Sequence, residues 1–362
     1  MTLWDKLTSF GNLYTAAKAA QRGKRFKPAV ARFHYDLASS LLALQEDLLS
    51  GKYQPGPYHT FTIYEPARRY ISAAPYRDRV VHHALCQAIE PLFEKSFIFD
   101  SYANRVDKGT HRALDRCQHY CRQCKYVFQG DIRLFFPSID HEILRERLAR
   151  RIYDPQVMEL ARLIVERSNP QPAALAYFTG DDLFSPYLRR RGLPIGNLTS
   201  QFWANVYLDS FDHHFRDELG VAGYIRYVDD FLVFGNDKDE LREWREEAAR
   251  RLELSRLVLN QRKCRIYPVG EGVPFLGFRV YANYRRLLPR AVRRARRRLR
   301  RLEEEYQAGR AEMGDVRRSV EAWVAHAAHG DTTGLRRVLF RDAAFRASGR
   351  KRGSGRVLEQ QP

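Results

Sequence analysis

Asp229 and Asp230 stand side by side between two β-rich runs in the segment Tyr224-Ile225-Arg226-Tyr227-Val228-Asp229-Asp230-Phe231-Leu232-Val233-Phe234. In a hairpin the pair sits at or beside the turn, where at least one carboxylate points out of the sheet toward solvent and a metal. An Asp-Asp step alone is common turn chemistry. A third acid changes the reading, because Lys125-Tyr126-Val127-Phe128-Gln129-Gly130 reads as a hydrophobic strand that ends on Asp131. Two-metal phosphoryl transfer needs acids from separate strands that converge on two Mg²⁺ ions about 3.5–4 Å apart, one activating the attacking oxygen and one steadying the leaving group. Asp131 with Asp229 and Asp230 supplies that set. Asp140 belongs instead to the first turn of a helix starting near Ser138, where its charge complements the helix dipole.

These acids need strands to carry them and helices to support the strands. The runs YHTFTIYE, KYVFQGDIRLFF, YIRYVDDFLVFG and CRIYPV alternate with helical stretches, which predicts an α+β core. Leu3 to Ala20 and Tyr35 to Leu49 read as amphipathic helices flanking the basic stretch QRGKRFKP, which serves as a phosphate contact or a solvated linker. From about Leu287 the pattern is helical without strands, and the end, SGRKRGSGRVLEQQP, reads as a flexible basic tail.

The 362 residues hold 62 Lys and Arg against 43 Asp and Glu, a formal charge of +19. Residues 281–362 carry 21 basic and 9 acidic residues, so +12 of that charge lies at the C-terminal end. Between Arg290 and Arg301 no acid interrupts the arginines, and charge so uncompensated repels itself unless an anion lies nearby. A polyanionic partner follows. At 44% hydrophobic, with few Gly and Pro, the composition excludes a disordered or collagen-like chain, and the length suggests two or three structural units. No run reaches the ~18 apolar residues of a membrane span. Five cysteines without framework spacing argue against a disulfide scaffold and for a reducing cytoplasm. Cys117, Cys121 and Cys124, with His119 nearby, have helical spacing and read as buried thiols rather than a zinc site, and His82-His83 reads as packing.

Taken in order, Asp131-Ile132-x-x-Phe135-Phe136, then Gly192-Leu193-Pro194-Ile195-Gly196-Asn197-Leu198-Thr199-Ser200-Gln201, then Tyr227-Val228-Asp229-Asp230 and Phe275-Leu276-Gly277-Phe278, the motifs resemble those of reverse transcriptases. The resemblance extends upstream through Arg69-Tyr70-Ile71, Tyr76 to Leu85 and Ser101 to Leu114, which look like fingers motifs of bacterial enzymes related to group II intron proteins, and downstream through Ser319 to Phe340, which resembles their thumb. It covers roughly residues 50–340. It implies a right-hand polymerase: an N-terminal helical extension at 1–50, fingers at 51–125, a palm of antiparallel sheet and helices at 126–284, a helical thumb at 285–345 and a tail at 346–362.

By the same resemblance Asp131, Asp229 and Asp230, with the backbone carbonyl of Ile132, bind two Mg²⁺ ions. Phe136 falls at the steric gate that favours dNTPs over rNTPs. Arg69 aligns with the triphosphate-binding arginine of the fingers, assisted by Arg68, and a guanidinium fork suits phosphate oxygens. Lys263 matches the lysine that protonates departing pyrophosphate, with an exposed lysine of no such role as the alternative. Phe275 to Phe278 resembles the primer grip, or is a β-hairpin with a buried Phe. Template RNA, the RNA/cDNA duplex and dNTPs are the implied partners, with no membrane.

Most reverse transcriptases carry Gln before the glycine of the middle motif and Pro after its serine. Ile195-Gly196 and Ser200-Gln201 depart from that pattern and resemble diversity-generating retroelement enzymes, which copy a template RNA with frequent errors opposite adenine and work with a small basic accessory protein. Ile195 and Gly196 thereby join the nucleotide-binding set. An intron-derived, retron or phage-defence reverse transcriptase is the alternative, and a non-catalytic RNA-binding protein on a polymerase scaffold a second one.

Overall fold

The computed structural model describes residues 1–64, 69–168 and 176–341. Arg68 lies outside the described residues. The fold is α+β, and the chain divides into two compact units: Met1–Arg116 with Cys124–Pro268, and Cys117–Gln123 with the chain from Val269 onward.

The first unit begins with four helices, α1 (Leu3–Thr8), α2 (Phe10–Gln21), α3 (Pro28–Tyr35) and α4 (Leu37–Leu49). The single helix expected from Leu3 to Ala20 is broken at Ser9. Its backbone leaves the helical region and its hydroxyl accepts the Asn12 amide, so the residue ends one helix and caps the next. The helix expected from Tyr35 to Leu49 likewise divides, because the Asp36 carboxylate accepts the Ser39 amide and starts α4. The basic stretch forms the turn between α2 and α3, with Pro28 in the first turn of α3, where its missing N–H costs nothing. Strands β1 (His59–Ile63) and β2 (Arg69–Ala73) pair antiparallel, and α5 (Tyr76–Glu94) packs on α2, with its Val80, Val81, Ala84, Leu85 and Ile89 all buried. His82 on α5 is buried as well, as packing predicted.

Helix α6 (Thr110–Gln123) precedes β3 (Tyr126–Asp131), which is followed by the short α7 (Phe135–Ser138) and by α8 (His141–Ala149). Asp140 is the N-cap of α8: its carboxylate accepts the Glu142 and Ile143 amides, so its role is helix initiation. After α9 (Pro155–Glu166) and α10 (Ser185–Leu188), the long α11 (Leu198–His213) continues as a π-helical turn into β4 (Gly223–Tyr227) and β5 (Asp230–Gly235); α12 (Lys238–Glu253) and β6 (Arg265–Pro268) complete the unit.

The four strands order as β4-β5-β3-β6, each neighbour antiparallel. Strand alternation splits the sheet into two faces. One face carries Tyr224, Phe231 and Phe128. Phe231 meets the ring of Phe211 on α11 at 5.1 Å, and Tyr224 stacks on Phe215 at 5.7 Å. Gly130 pairs across from Phe231 on this face, and a Cβ there would lie 2.2 Å from the ring, so only glycine lets the aromatic lie flat over β3. Asp131, next along the strand, therefore belongs to the opposite face, as does Asp230.

The second unit, from Val269, holds a sheet of β7 (Val273–Phe275), β8 (Phe278–Val280) and β9 (Arg285–Leu287), then helices α13 (Pro289–Gln307), α14 (Met313–Ala327) and α15 (Thr333–Arg341). Leu276 and Gly277 both have positive φ, the signature of a tight two-residue hairpin, and Phe275 and Phe278 on either side are buried. Cys117 and Cys121 on α6 and Cys124 just past it are buried free thiols, and among the described residues no His, Cys, Asp or Glu cluster is arranged to hold a metal.

Candidate active site

Strand register brings the three acids together. Asp131 at the end of β3 and Asp230 at the start of β5 are direct cross-strand partners, and Asp229 occupies the two-residue turn that joins β4 to β5. The Ile132 amide donates to the Asp229 carbonyl at 3.2 Å, tying the end of β3 to that turn. The turn itself is strained. Val228 has φ +59, a conformation that a β-branched residue adopts at a cost of about 1–3 kcal/mol and that glycine usually supplies in such hairpins.

Asp131 is nearly buried and well held. Its backbone carbonyl accepts the Asn260 amide at 2.8 Å, its Oδ1 accepts from the Asn260 side chain at 2.7 Å, and its Oδ2 accepts from Lys263 Nζ at 2.7 Å. Burial tends to lower the Lys263 ammonium, but the Asp131 hydrogen bond and the charges of Asp131, Asp230 and Asp229 raise it on balance. Asp230 moves the other way from an ordinary carboxylate. Burial first, then the charges of Asp229 and Asp131, push it up to about 7 against the lowering pull of Lys263.

The donors at this corner are hard carboxylate oxygens, the chemistry a Mg²⁺-type cation prefers. Asp230 is raised first by its burial and then by the charges of Asp229 and Asp131, which Lys263 only partly offsets. The donor type therefore suits a divalent cation, although the three carboxylates are not drawn together here as a ready group of ligands. The set is not a closed shell, since two oxygens of Asp131 are already taken by Asn260 and Lys263.

A second group of expected residues assembles around β2. The loop Gly192–Asn197 runs beside this strand: the Ser72 amide donates to the Ile195 carbonyl at 3.0 Å, and the Asn197 side chain both accepts the Ala74 amide and donates to the Ser72 carbonyl. Gly196 has φ +115, and a Cβ there would come within 2.9 Å of Ile71, so the loop approaches β2 through a glycine. Phe136 is half-buried, its ring 5.4 Å from that of Phe135, and its carbonyl accepts the Leu193 amide at 2.8 Å. The strand that begins with Arg69 and the residue Phe136 are thus each hydrogen-bonded to the Gly192–Asn197 loop, at Ile195 and at Leu193 respectively.

Two residues escaped sequence reasoning. Asn260 holds Asp131 from 129 positions away, a separation closed by the Ile132–Leu259 bridge and the pairing of β3 with β6. Arg226 is fully buried and paired with Asp212 of α11; its place two residues before the turn was visible, but nothing in one sequence marks an arginine as internal.

A family model described as reverse transcriptase (RNA-dependent DNA polymerase) matches residues 65–280. Protein YkfC of Escherichia coli is 27% identical over 286 residues, covering 67% of this chain and 72% of that protein. The group II intron-encoded protein LtrA of Lactococcus lactis is 23% identical over 170 residues, and the match spans 46% of this chain but only 26% of LtrA. Among solved structures, apo telomerase from Candida tropicalis superposes with a TM-score of 0.47 at 12% identity, over 68% of this chain and 52% of the other.

Proposed function

Because the chain belongs to the reverse transcriptase (RNA-dependent DNA polymerase) family, we propose that it extends a primer 3′-hydroxyl with dNTPs along an RNA template and releases pyrophosphate. The observation that carries this reading is the cross-strand pair Asp131 and Asp230 beside the Asp229 turn. Asp131, Asp229 and Asp230, with the Ile132 carbonyl, would hold two Mg²⁺ ions, which when bound activate the attacking hydroxyl and stabilise the leaving oxygen. The chain's own residues position the reactants. Arg69, aided by Arg68, binds the triphosphate, Phe136 rejects a 2′-hydroxyl, and Lys263 delivers a proton to pyrophosphate once it leaves Asp131. The Phe275–Phe278 hairpin serves as primer grip, and the arginines of α13 grip the duplex backbone without reading sequence.

Within the family we read the chain as a diversity-generating enzyme acting in the cytoplasm with a small basic accessory protein. The support is Ile195-Gly196 followed by Ser200-Gln201, because an isoleucine offers the incoming nucleotide no hydrogen bond and selectivity opposite adenine loosens. A second reading, an intron-type enzyme, is favoured by the intron-encoded relative LtrA. Primer extension on a defined RNA with Mg²⁺, followed by sequencing of the product, tests both levels. DNA synthesis that is lost in Asp229→Ala supports the polymerase, and synthesis retained in that variant refutes it. Errors concentrated at template adenines and reduced by Ile195→Gln favour the diversity-generating reading; uniform errors favour the intron type.

A further inference from the structure

We propose that Arg226 is a positioning residue for polymerisation, setting the orientation of Asp229 through the backbone carbonyl of Val228. The inference rests on Asp229 acting as a metal-binding carboxylate, and it concerns how that carboxylate is aimed.

Every N–H of the guanidinium is used. Nε and Nη2 donate to the two carboxylate oxygens of Asp212, each at 2.7 Å. Nη2 also donates to Ser101 Oγ, and Nη1 donates to Asn205 Oδ1 and to the Val228 carbonyl, all at 3.1 Å. A guanidinium has five donors in a fixed plane, so these five bonds leave one orientation for the group. Four of the bonds tie it to α11 and to the Ser101 segment; the fifth ends on the residue with φ +59 that immediately precedes Asp229. A left-handed valine persists only where its surroundings over-determine it, and this bond is a direct restraint on its carbonyl. The neighbouring backbone adds a second one, since the Arg226 amide donates to the Asp100 carbonyl at 3.0 Å and its carbonyl accepts the Tyr102 amide at 3.0 Å.

A buried ion pair is weak evidence for stability, because desolvation of both charges offsets their attraction, and apolar residues of similar size often replace such a pair without loss. Geometry is the better account of this one. Lysine keeps the charge but has no planar fork and cannot serve Asp212 and Val228 together.

The test compares Arg226→Lys and the double variant Arg226→Met/Asp212→Leu with wild type and with Asp229→Ala. The readouts are thermal melting, steady-state extension and hydrogen exchange of the peptide covering Tyr227 to Phe231. The double variant removes the charges together but also takes the Asp212 acceptor from the buried Tyr224 hydroxyl, so its melt is read first and kcat is compared at a temperature where it is fully folded. The expected result is a kcat lowered about 10- to 100-fold in both variants, the scale of a small misplacement of a reacting group, with the KM for dNTP changed less than about twofold on the same reasoning. Faster exchange should be confined to the turn peptide, a change seen without metal or substrate. If the double variant folds and recovers both wild-type kcat and wild-type turn exchange, Arg226 is structural only and the inference is overturned. If Arg226→Lys fails to fold, the double variant alone decides. Synthesis retained by Asp229→Ala would instead overturn the underlying reading of Asp229, whatever the Arg226 variants do.

Discussion

Asp131 and Asp230 face each other directly across β3 and β5, two carboxylates in register on one side of the sheet. Like charges directly opposed across strands destabilise a sheet, and here burial first, then the charges of Asp229 and Asp131, push Asp230 up to about 7. The site that fits a cation is therefore a cost to the fold when no cation is present.

That cost has a sign and a pH window. The folded-state value of Asp230 lies above the ordinary 3.8, so its relative contribution to stability is fully present below about 3.8 and is lost as pH rises through about 7. Asp230→Asn should stabilise the chelator-treated protein at pH 8 by about 4 kcal/mol while impairing DNA synthesis. Urea denaturation at pH 8 and pH 4 checks this. The gap between variant and wild type should close at the lower pH; a gap independent of pH would mean that charge opposition is not its cause.

Gly130→Ala places a methyl group where the Phe231 ring lies, 2.2 Å away. Overpacking of this kind costs about 1–3 kcal/mol. Because Asp131 is the next residue, the strand shift that relieves the clash also moves a carboxylate proposed to hold metal. The expected outcome is a lowered melting temperature together with a kcat reduced beyond what the unfolded fraction explains. A compensating Phe231→Leu should recover stability, and a double variant no more stable than Gly130→Ala would count against the clash.

The buried His82 and half-buried His83 of α5 predict acid sensitivity of the opposite sign. Burial first, then the neighbouring His83 and Arg79, bring His82 down to about 3; His83 is brought to about 4 by burial and by Lys24, Arg22 and Arg79. Neither ring nitrogen of His82 has a hydrogen-bond partner among the described residues. Values below the ordinary 6.5 mean that the unfolded chain binds more protons, so the stability is present above 6.5 and is lost as pH falls toward 4 and 3. At pH 5 the His82 share amounts to about 2 kcal/mol. Thermal melts from pH 8 to pH 4.5 should show His82→Leu losing less stability than wild type, and parallel curves would remove His82 as the origin.

The acids and their strands were legible because alternation and order are local properties: the runs that predicted β3, β4 and β5 are those strands, and Asp229 sits in the turn between two of them. The helix breaks at Ser9 and Asp36 were not legible, because one capping hydroxyl or carboxylate decides them inside an otherwise helical pattern. Val228 was hidden for the opposite reason. Sequence preference puts glycine at such a turn, and only a tertiary restraint lets valine stand there. Asn260 and Arg226 were beyond reach because their roles come from register and burial, which neither residue type announces.

Lys263 resting on Asp131 Oδ2 also bears on how the chain matures. A domain whose acids depend on an external ion to fold collapses when the ion is stripped away, as small zinc modules do. Here the polypeptide brings its own ammonium to the buried aspartate. Part of the site's charge is thereby balanced within the chain, and what a cation could still add to the fold is narrowed to the charge on Asp230.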